Sequence, residues 1–338
     1  MRAGERVGDN LNRALHTVLD KDPRVCLIGE DILDPYGGAF KMTRGLSTNH
    51  PDSVITTPIS EGGIVGLAAG LALCGERPIV EIMFGDFVTL GFDQILNFAT
   101  KSVSMYGHRV PIHLVVRCPV GGNRGYGPTH SQSLHKHLLG IPHLALFELS
   151  PFHDNVTLID RLVSRGEPCV LFENKTLYAG NMYAGGVVDD LFLFDYVGPA
   201  GEFARVFAER PDDFDAVIIA PGGLTGRALA AARDLLIELE LKCQIIVPSQ
   251  LHPIDLDPLL ATLERAERIC LVEESVPGGT WASEIARQIY DRLWGSLKNR
   301  ILVVHSRNSV IPSAAHLERE VLVQAATIYR AMRESASA

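Results

Sequence analysis

Short apolar runs alternate with longer segments of helical periodicity through most of this chain, and no other feature constrains its fold as strongly. In the first half, the apolar runs predict strands at residues 25–28, 78–84, 112–117, 144–149 and 169–173. Helices are predicted to begin at the cap residue Asp9 and at Glu61, Phe92 and Asn155. Strands that alternate with helices form parallel sheets covered on both faces, and ligands bind beyond the carboxyl ends of such strands.

The alternation resumes in the second half after a stretch of weak periodicity. Glycine, tyrosine, aspartate and phenylalanine accumulate between residues 175 and 211, so we predict a linker there. Strands are then predicted at residues 216–220, 244–247, 269–273 and 301–305, and helices at 224–241, 257–266, 283–293 and 317–330. The sequence therefore predicts an α/β protein of two domains, residues 1–185 and 200–338, each a mainly parallel sheet flanked by helices.

Charge and hydropathy exclude several classes of protein. The formal net charge of −9 argues against nucleic-acid binding. No apolar run reaches the roughly 18 residues that a membrane span needs, and residues 1–10 lack the apolar core of a signal peptide, so we expect a cytoplasmic protein that binds no membrane. The six cysteines are scattered singly without metal-ligand spacing, which predicts reduced core thiols and no structural zinc.

The stretch from Thr57 to Gly70 places a single carboxylate, that of Glu61, before a segment without charge. Ser60 is a good N-cap residue, and the following residues are small or apolar on every face, so we expect a helix packed on all sides with Glu61 buried at its start. Two interpretations are open from this stretch alone. The free amides at the helix start could satisfy the carboxylate, or its partner is a ligand and desolvation sets its proton affinity.

The loop from Cys118 to Ser133 contains four glycines together with Arg124, Tyr126 and His130. Ordering so flexible a loop costs conformational entropy, which is most often offset in enzymes because a ligand binds there. His130 could act as acid, base or hydrogen-bond donor, or it could be a solvated side chain. The Gly222-Gly223 turn lacks the lysine and the spacing of a phosphate loop, and we interpret it as a tight turn.

With these segments placed, the chain resembles the beta subunits of the thiamine-diphosphate-dependent decarboxylating components of 2-oxoacid dehydrogenase complexes, the pyruvate, branched-chain and acetoin group. The resemblance runs nearly end to end. The motifs that carry it are Gly29-Glu30-Asp31, residues 36–40, Thr57-Pro58-Ile59-Ser60-Glu61, residues 81–87 with 92–94, Thr129-His130-Ser131-Gln132-Ser133, and Ile311-Pro312 before Leu317-Glu318. It implies a pyrimidine-binding domain of the transketolase-like superfamily followed by the carboxy-terminal domain used in assembly.

The resemblance also implies roles for the site residues. Glu61 matches the glutamate that hydrogen-bonds a pyrimidine nitrogen of the cofactor and so supports proton removal from the thiazolium carbon. Phe87 matches the aromatic residue stacked on the pyrimidine, Ile59 and Glu30 complete the cofactor-binding set, and His130 matches the catalytic histidine near the substrate carboxylate and the acyl acceptor. Glu30 and Asp93 also match acids of a water-filled passage between paired sites, where some relatives carry an acid in place of Leu90.

One part of the superfamily's site is missing from this sequence. The diphosphate and its Mg²⁺ are held there by Gly-Asp-Gly followed by a distant Asn, and only Gly8-Asp9-Asn10 and Gly85-Asp86-Phe87 come near that pattern. The resemblance therefore implies that an alpha subunit binds Mg²⁺ and shares the thiamine diphosphate, in an assembly of two alpha and two beta chains. A lipoyl-bearing acyltransferase or carrier protein is a further possible partner.

Two other functions are compatible with the same residues. A split transketolase-like enzyme would use the Glu61 chemistry to move a two-carbon ketol unit to a sugar or a carrier protein. Basic residues facing the cleft would favour it, and Arg124 is the one candidate. A non-catalytic assembly subunit is the other alternative, although retention of Glu61, Phe87 and His130 together argues against it.

Overall fold

The computed structural model describes residues 4–336, which divide into two compact units. The first unit contains residues 4–120, 138–149 and 153–182, and the second contains residues 121–137, 150–152 and 183–336. Within residues 4–336, no helix is both long enough and apolar enough to cross a bilayer.

The strands are β1 (Val25–Gly29), β2 (Val54–Thr56), β3 (Arg77–Glu81), β4 (Val115–Val120), β5 (Ala145–Glu148), β6 (Cys169–Asn174), β7 (Phe192–Val197), β8 (Phe203–Ala208), β9 (Ala216–Ile219), β10 (Cys243–Pro248), β11 (Gln250–His252), β12 (Arg268–Val272) and β13 (Leu302–Val304). The α-helices are α1 (Val7–Lys21), α2 (Leu46–Asn49), α3 (Glu61–Leu73), α4 (Thr100–Ser102), α5 (His135–Leu138), α6 (Asn155–Ser164), α7 (Thr225–Leu239), α8 (Leu260–Arg265), α9 (Trp281–Leu293), α10 (Ala315–Val321) and α11 (Ala325–Ala336). Segments of 3₁₀-helix span Gly85–Gly91, Gly222–Leu224 and Asp257–Leu259, and a π-helix spans Gln94–Ala99.

The first unit is built on a parallel sheet in which its strands lie in the order β5-β6-β4-β3-β1-β2. Helices α1 and α6 bury their apolar stripes in one cluster with Leu27, Ile79 and Leu171 of the sheet. Glu81 at the end of β3 is paired in register with Gly29 on one side and Arg117 on the other. The strand ends therefore bring charged side chains to one edge of the sheet, as the sequence predicts for a ligand-binding α/β fold.

The second unit contains a mixed sheet in the order β13-β12-β9-β10-β8-β7. Strands β13, β12, β9 and β10 are parallel, whereas β8 and β7 run antiparallel to their neighbours. Apolar residues of α7 and α11 pack against this sheet in one cluster that includes Leu235, Ile328 and Met332. The prediction of two mainly parallel sheets flanked by helices is thus confirmed.

Several local predictions are wrong. The stretch 175–211, predicted to be a linker, contains the β7–β8 hairpin. In β7, buried Phe192 and Phe194 alternate with outward residues, but the glycines and tyrosines around them hide this pattern in the sequence. Helix α1 begins at Val7, so Asp9 lies in its first turn, where a carboxylate still stabilises the positive end of the helix. The helix predicted at residues 317–330 is replaced by two helices, α10 and α11. The helix predicted to begin at Phe92 is mostly π-helix.

Helix α3 begins at Glu61 as predicted, but the expectation that it is packed on all sides is wrong for the chain alone. Ile64, Val65 and Ala68 are buried, whereas Gly63 and Leu67 are exposed, with 51% of Leu67 accessible. The residues of this helix after Glu61 are small or apolar on every face, so no polar face marks a side exposed to solvent. The sequence therefore could not indicate that one face is left uncovered by the chain itself.

Candidate functional site

Two buried carboxylates lie together where β1 ends and α3 begins. Glu30 follows the last residue of β1 and Glu61 is the first residue of α3, and each is only 5% exposed. The backbone N–H of Ser60 donates a hydrogen bond of 3.3 Å to Glu30 Oε1. Burial and the neighbouring charge of Glu61 raise the pKa of Glu30, and the Ser60 hydrogen bond opposes them only in part. Glu30 therefore binds a proton more readily than an ordinary carboxyl group does.

The Glu61 carboxylate has an uncommon environment for a buried acid. Although it stands at a helix start, no N–H or O–H group within residues 4–336 donates a hydrogen bond to it. The first of the two interpretations, satisfaction by free helix amides, is therefore not what the structure contains. A mostly buried carboxylate without a protein donor gives up part of its hydration and gains no hydrogen bond from the described chain. The structure thus favours a donor from outside the described chain.

The 3₁₀ segment Gly85–Gly91 packs closely against the start of α3 and carries Phe87. A Cβ atom on Gly62 would lie 3.0 Å from the carbonyl oxygen of Leu90, so a larger residue would push this segment away by a few tenths of an ångström. The Phe87 ring is half-buried and makes an edge-to-face contact with Phe84, with ring centroids 6.4 Å apart. Ile59, two residues before α3, is 80% exposed. Glu30, Ile59, Glu61 and Phe87 therefore all belong to the first unit.

His130 belongs to the second unit, in the glycine-rich loop. Its Nδ1 lies 2.9 Å from Thr129 Oγ1, and the side chain is partly exposed. Two buried acids hold this loop in place, Glu274 after β12 and Glu318 in α10. Neither was predicted from the sequence to be a site residue. They accept hydrogen bonds from backbone amides, which leave no pattern in a sequence.

A buried ion network connects three strands of the first unit, and it was not predicted from the sequence. Arg117 of β4 is fully buried, and its guanidinium donates to Glu173 at 2.6 and 3.0 Å and to Glu81 at 2.8 Å. Tyr178 donates a further hydrogen bond of 2.7 Å to Glu173. Burial raises the pKa of Glu81 above its ordinary value. The positive charge of Arg117 opposes this shift, and the negative charge of Glu173 adds to it. The network fixes the end of β3, from which the chain continues to Phe87.

The second unit also contains an open pocket of about 500 Å³, a size typical of small-molecule sites. Its wall combines loop residues such as Gln132 and Ser133 with Glu274, Ser306 and Ile311. These residues come from three distant segments of the chain, so sequence reasoning did not find the pocket. In the described part of the chain, no three His, Cys, Asp or Glu side chains are placed to hold a metal ion together.

Comparisons with known proteins agree with this geometry. Residues 6–181 match the pyrimidine binding domain of transketolase, and residues 207–328 match the transketolase C-terminal domain. A solved split-gene transketolase, described as an inactive beta4 tetramer, superposes with a TM-score of 0.71 at 16% identity and covers 99% of both chains. The fold and the two domain matches thus define a transketolase-like protein of the thiamine-diphosphate-dependent class.

Curated relatives specify the family further. The beta subunit of acetoin:2,6-dichlorophenolindophenol oxidoreductase from Cupriavidus necator is 32% identical over 337 residues, which cover 96% of this chain and 95% of the relative. The beta subunit of the pyruvate dehydrogenase E1 component from Leifsonia xyli is 31% identical over 305 residues, covering 90% and 87%. The chain belongs to the family of 2-oxoacid dehydrogenase beta subunits.

Proposed function

We propose that this chain supplies the pyrimidine-binding half of a thiamine-diphosphate-dependent 2-oxoacid dehydrogenase. The enzyme would decarboxylate a 2-oxo acid oxidatively and transfer the acyl group to a lipoyl-bearing acyltransferase or carrier protein. The observation that carries this proposal is the Glu61 carboxylate, which is buried at the start of α3 without a donor from residues 4–336. A pyrimidine ring nitrogen that carries a proton would be the donor that this carboxylate lacks.

When bound, thiamine diphosphate supplies an acidic thiazolium carbon and an electron sink for the decarboxylation. The chain's own residues then orient the cofactor and control protons. Glu61 would hydrogen-bond a pyrimidine nitrogen and hold a proton there, while Glu30, with its raised pKa, would keep a second proton close by. Phe87 and the exposed Ile59 would give the pyrimidine apolar contacts, and His130 would meet the substrate carboxylate or the acyl acceptor.

The relatives favour this function over its alternatives. They are named as acetoin and pyruvate dehydrogenase beta subunits, and the transketolase likeness at 16% identity concerns the fold alone. The split transketolase-like enzyme and the non-catalytic assembly subunit are therefore not favoured. A cytoplasmic location is part of the proposal, and it is supported by six cysteines that are all free thiols, as expected in a reducing compartment.

The test of this function is decarboxylation by the complex of this chain with its alpha subunit. The two chains are co-expressed and purified, and release of carbon dioxide is measured across 2-oxo acids with an artificial electron acceptor. We expect turnover of at least one 2-oxo acid that depends on added thiamine diphosphate and Mg²⁺. A correctly assembled complex that turns over only sugar phosphates would support the transketolase-like alternative.

We expect the purified chain alone to bind neither Mg²⁺ nor thiamine diphosphate tightly. Residues 4–336 contain no group of three His, Cys, Asp or Glu side chains placed to hold the ion, and the sequence lacks the superfamily's diphosphate motif, so the alpha subunit would supply both. Isothermal titration calorimetry compares the isolated chain with the co-expressed complex. Micromolar binding by the isolated chain would contradict a site shared between two chains.

The exposed apolar face of α3 supports an assembly of two alpha and two beta chains. Replacing Leu67 with Asp puts a charge on that face, and we expect it to prevent assembly because a large obligate interface buries over about 2,000 Å² of mainly apolar surface. Sedimentation of the co-expressed chains measures the effect. The matched control is Met105→Asp, an apolar residue of the first unit that is 50% exposed and lies outside α3. Normal assembly of the Leu67 variant would exclude α3 from the interface.

A further inference from the structure

The glycine-rich loop that carries His130 has four glycines, which offer no side chain to hold it in position by packing. Four of its residues have a left-handed backbone, Gly121, Asn123, Gly125 and Gly127, with φ between 62° and 86°. Glycines gain much entropy when released, so an unsupported loop of this composition would be mobile. Groups that bind its backbone are therefore needed to keep it ordered.

Glu318 binds the first half of the loop through both carboxylate oxygens. The N–H of Asn123 donates to Oε1 at 2.8 Å, and the N–H of Gly125 donates to Oε2 at 3.1 Å. Glu318 lies in α10 and is only 2% exposed. Hydrogen bonds to a buried carboxylate are stronger than those between neutral groups, so this pair fixes the turn at residues 123–125.

Glu274 binds both ends of the same loop. Its Oε1 accepts from the N–H of Gly122 at 3.1 Å and from Ser133 Oγ at 3.3 Å, and its other oxygen pairs with Arg227. Burial pushes the pKa of Glu274 up, but the charge of Arg227 and the loop donors more than offset it, so that the pKa is lowered. The carboxylate is consequently anionic at neutral pH and remains a double acceptor.

The loop backbone approaches side chains near these acids so closely that a Cβ atom at two of its glycines would clash with them. A Cβ atom on Gly122 would lie 2.3 Å from Leu322 Cδ1, and one on Gly127 would lie 2.4 Å from Ser313 Oγ. Gln324 Nε2 donates to Asn123 Oδ1 at 3.3 Å. The loop is therefore pressed directly on the chain segment that contains α10.

We propose that Glu274 and Glu318 are positioning residues, which fix the glycine-rich loop so that His130 meets the substrate in one place. The proposal rests on the proposed function in one respect, namely that His130 faces the substrate. A displacement of about 1 Å at a reacting group can cost about 100-fold in rate, so a loop of this flexibility needs such anchors. The two acids themselves touch loop backbone amides and act only through His130.

The anchoring is tested first by amide hydrogen exchange in the assembled complex. Glu318→Gln keeps the volume but turns one acceptor oxygen into a donor that faces an N–H group. We expect the amides of Asn123 and Gly125 to exchange at least about tenfold faster, as follows from losing a hydrogen bond to a charged group. Glu320→Gln, an exposed position of the same helix, is the matched control and should leave these rates unchanged. Unchanged rates in Glu318→Gln would overturn the proposal.

The catalytic consequence is tested by a double-mutant cycle with His130→Ala. We expect Glu318→Gln to lower kcat by about tenfold or more, and the double variant to be no slower than His130→Ala alone. Proton exchange at the thiazolium carbon, which depends on Glu61, should stay at the wild-type rate in Glu318→Gln. If the double variant lost kcat by the product of the two single-variant losses, the positioning role would be overturned. If the wild-type complex decarboxylated no 2-oxo acid, the proposed function would fail, while the amide exchange rates would still decide the anchoring.

Discussion

Replacing Glu61 with Gln is expected to reduce carbon dioxide release by the assembled complex at least ~100-fold, the usual loss when a positioned acid or base is removed. The amide side chain has nearly the same volume, so α3 should still begin at residue 61 and pack as before. What changes is the charge, because an amide cannot stabilise a proton on a pyrimidine nitrogen as a carboxylate does. The rate is measured with saturating cofactor, so that weaker binding does not contribute.

The control for this variant is Glu76→Gln, which lies just beyond the same helix and outside the carboxylate pair. We expect it to retain full activity. A second comparison is thermal unfolding of the Glu61→Gln complex, which should be close to that of the wild type because the substituted carboxylate has no donor in the chain to lose. Wild-type turnover by Glu61→Gln would show that the buried acid serves only the fold.

Replacing Arg117 with Met is expected to destabilise the first unit by about 3–5 kcal/mol, the range measured when one partner of a buried ion pair is removed. The side chain is completely buried, and its loss leaves Glu81 and Glu173 as neighbouring buried acids without a cation. Both must then take up protons or admit water. Urea unfolding of the purified protein gives the change in free energy of unfolding.

Arg109→Met is the matched control for the ion network. Arg109 also pairs with a carboxylate, that of Glu167 at 2.8 Å, but its side chain is 63% exposed. Exposed pairs contribute at most about 1 kcal/mol, so the control should change the free energy of unfolding little. Equal losses in the two variants would contradict a special role for the buried network in fixing the end of β3.

The parts of the site that follow from short-range pattern could be predicted from the sequence. Glu30 stands directly after an apolar run, and Glu61 directly after a good N-cap and before an uncharged helix, so both positions at the strand and helix ends were fixed locally. The network of Arg117 could not be predicted in this way. Its partners lie 36 and 56 residues away, and only the strand order brings them together.

Anchoring of the glycine-rich loop is beyond sequence reasoning for a related reason. Gly122 and Asn123 reach acids that are 152 and 195 residues further along the chain, and the loop's contribution is backbone N–H, which every residue except proline has. The exposed face of α3 could not be predicted for a different reason. Its hydropathy was evident in the sequence, but hydropathy does not specify whether the same chain or another one covers a surface.

Deuterium exchange at the thiazolium carbon of the bound cofactor tests most directly whether this chain controls the cofactor through Glu61. It is measured in three assembled complexes: wild type, Glu61→Gln and His130→Ala. We expect Glu61→Gln to slow the exchange at least ~100-fold and His130→Ala to leave it near the wild-type rate while impairing substrate binding or acyl transfer. Wild-type exchange in Glu61→Gln, or an equally severe loss in His130→Ala, would contradict the roles assigned to these two residues.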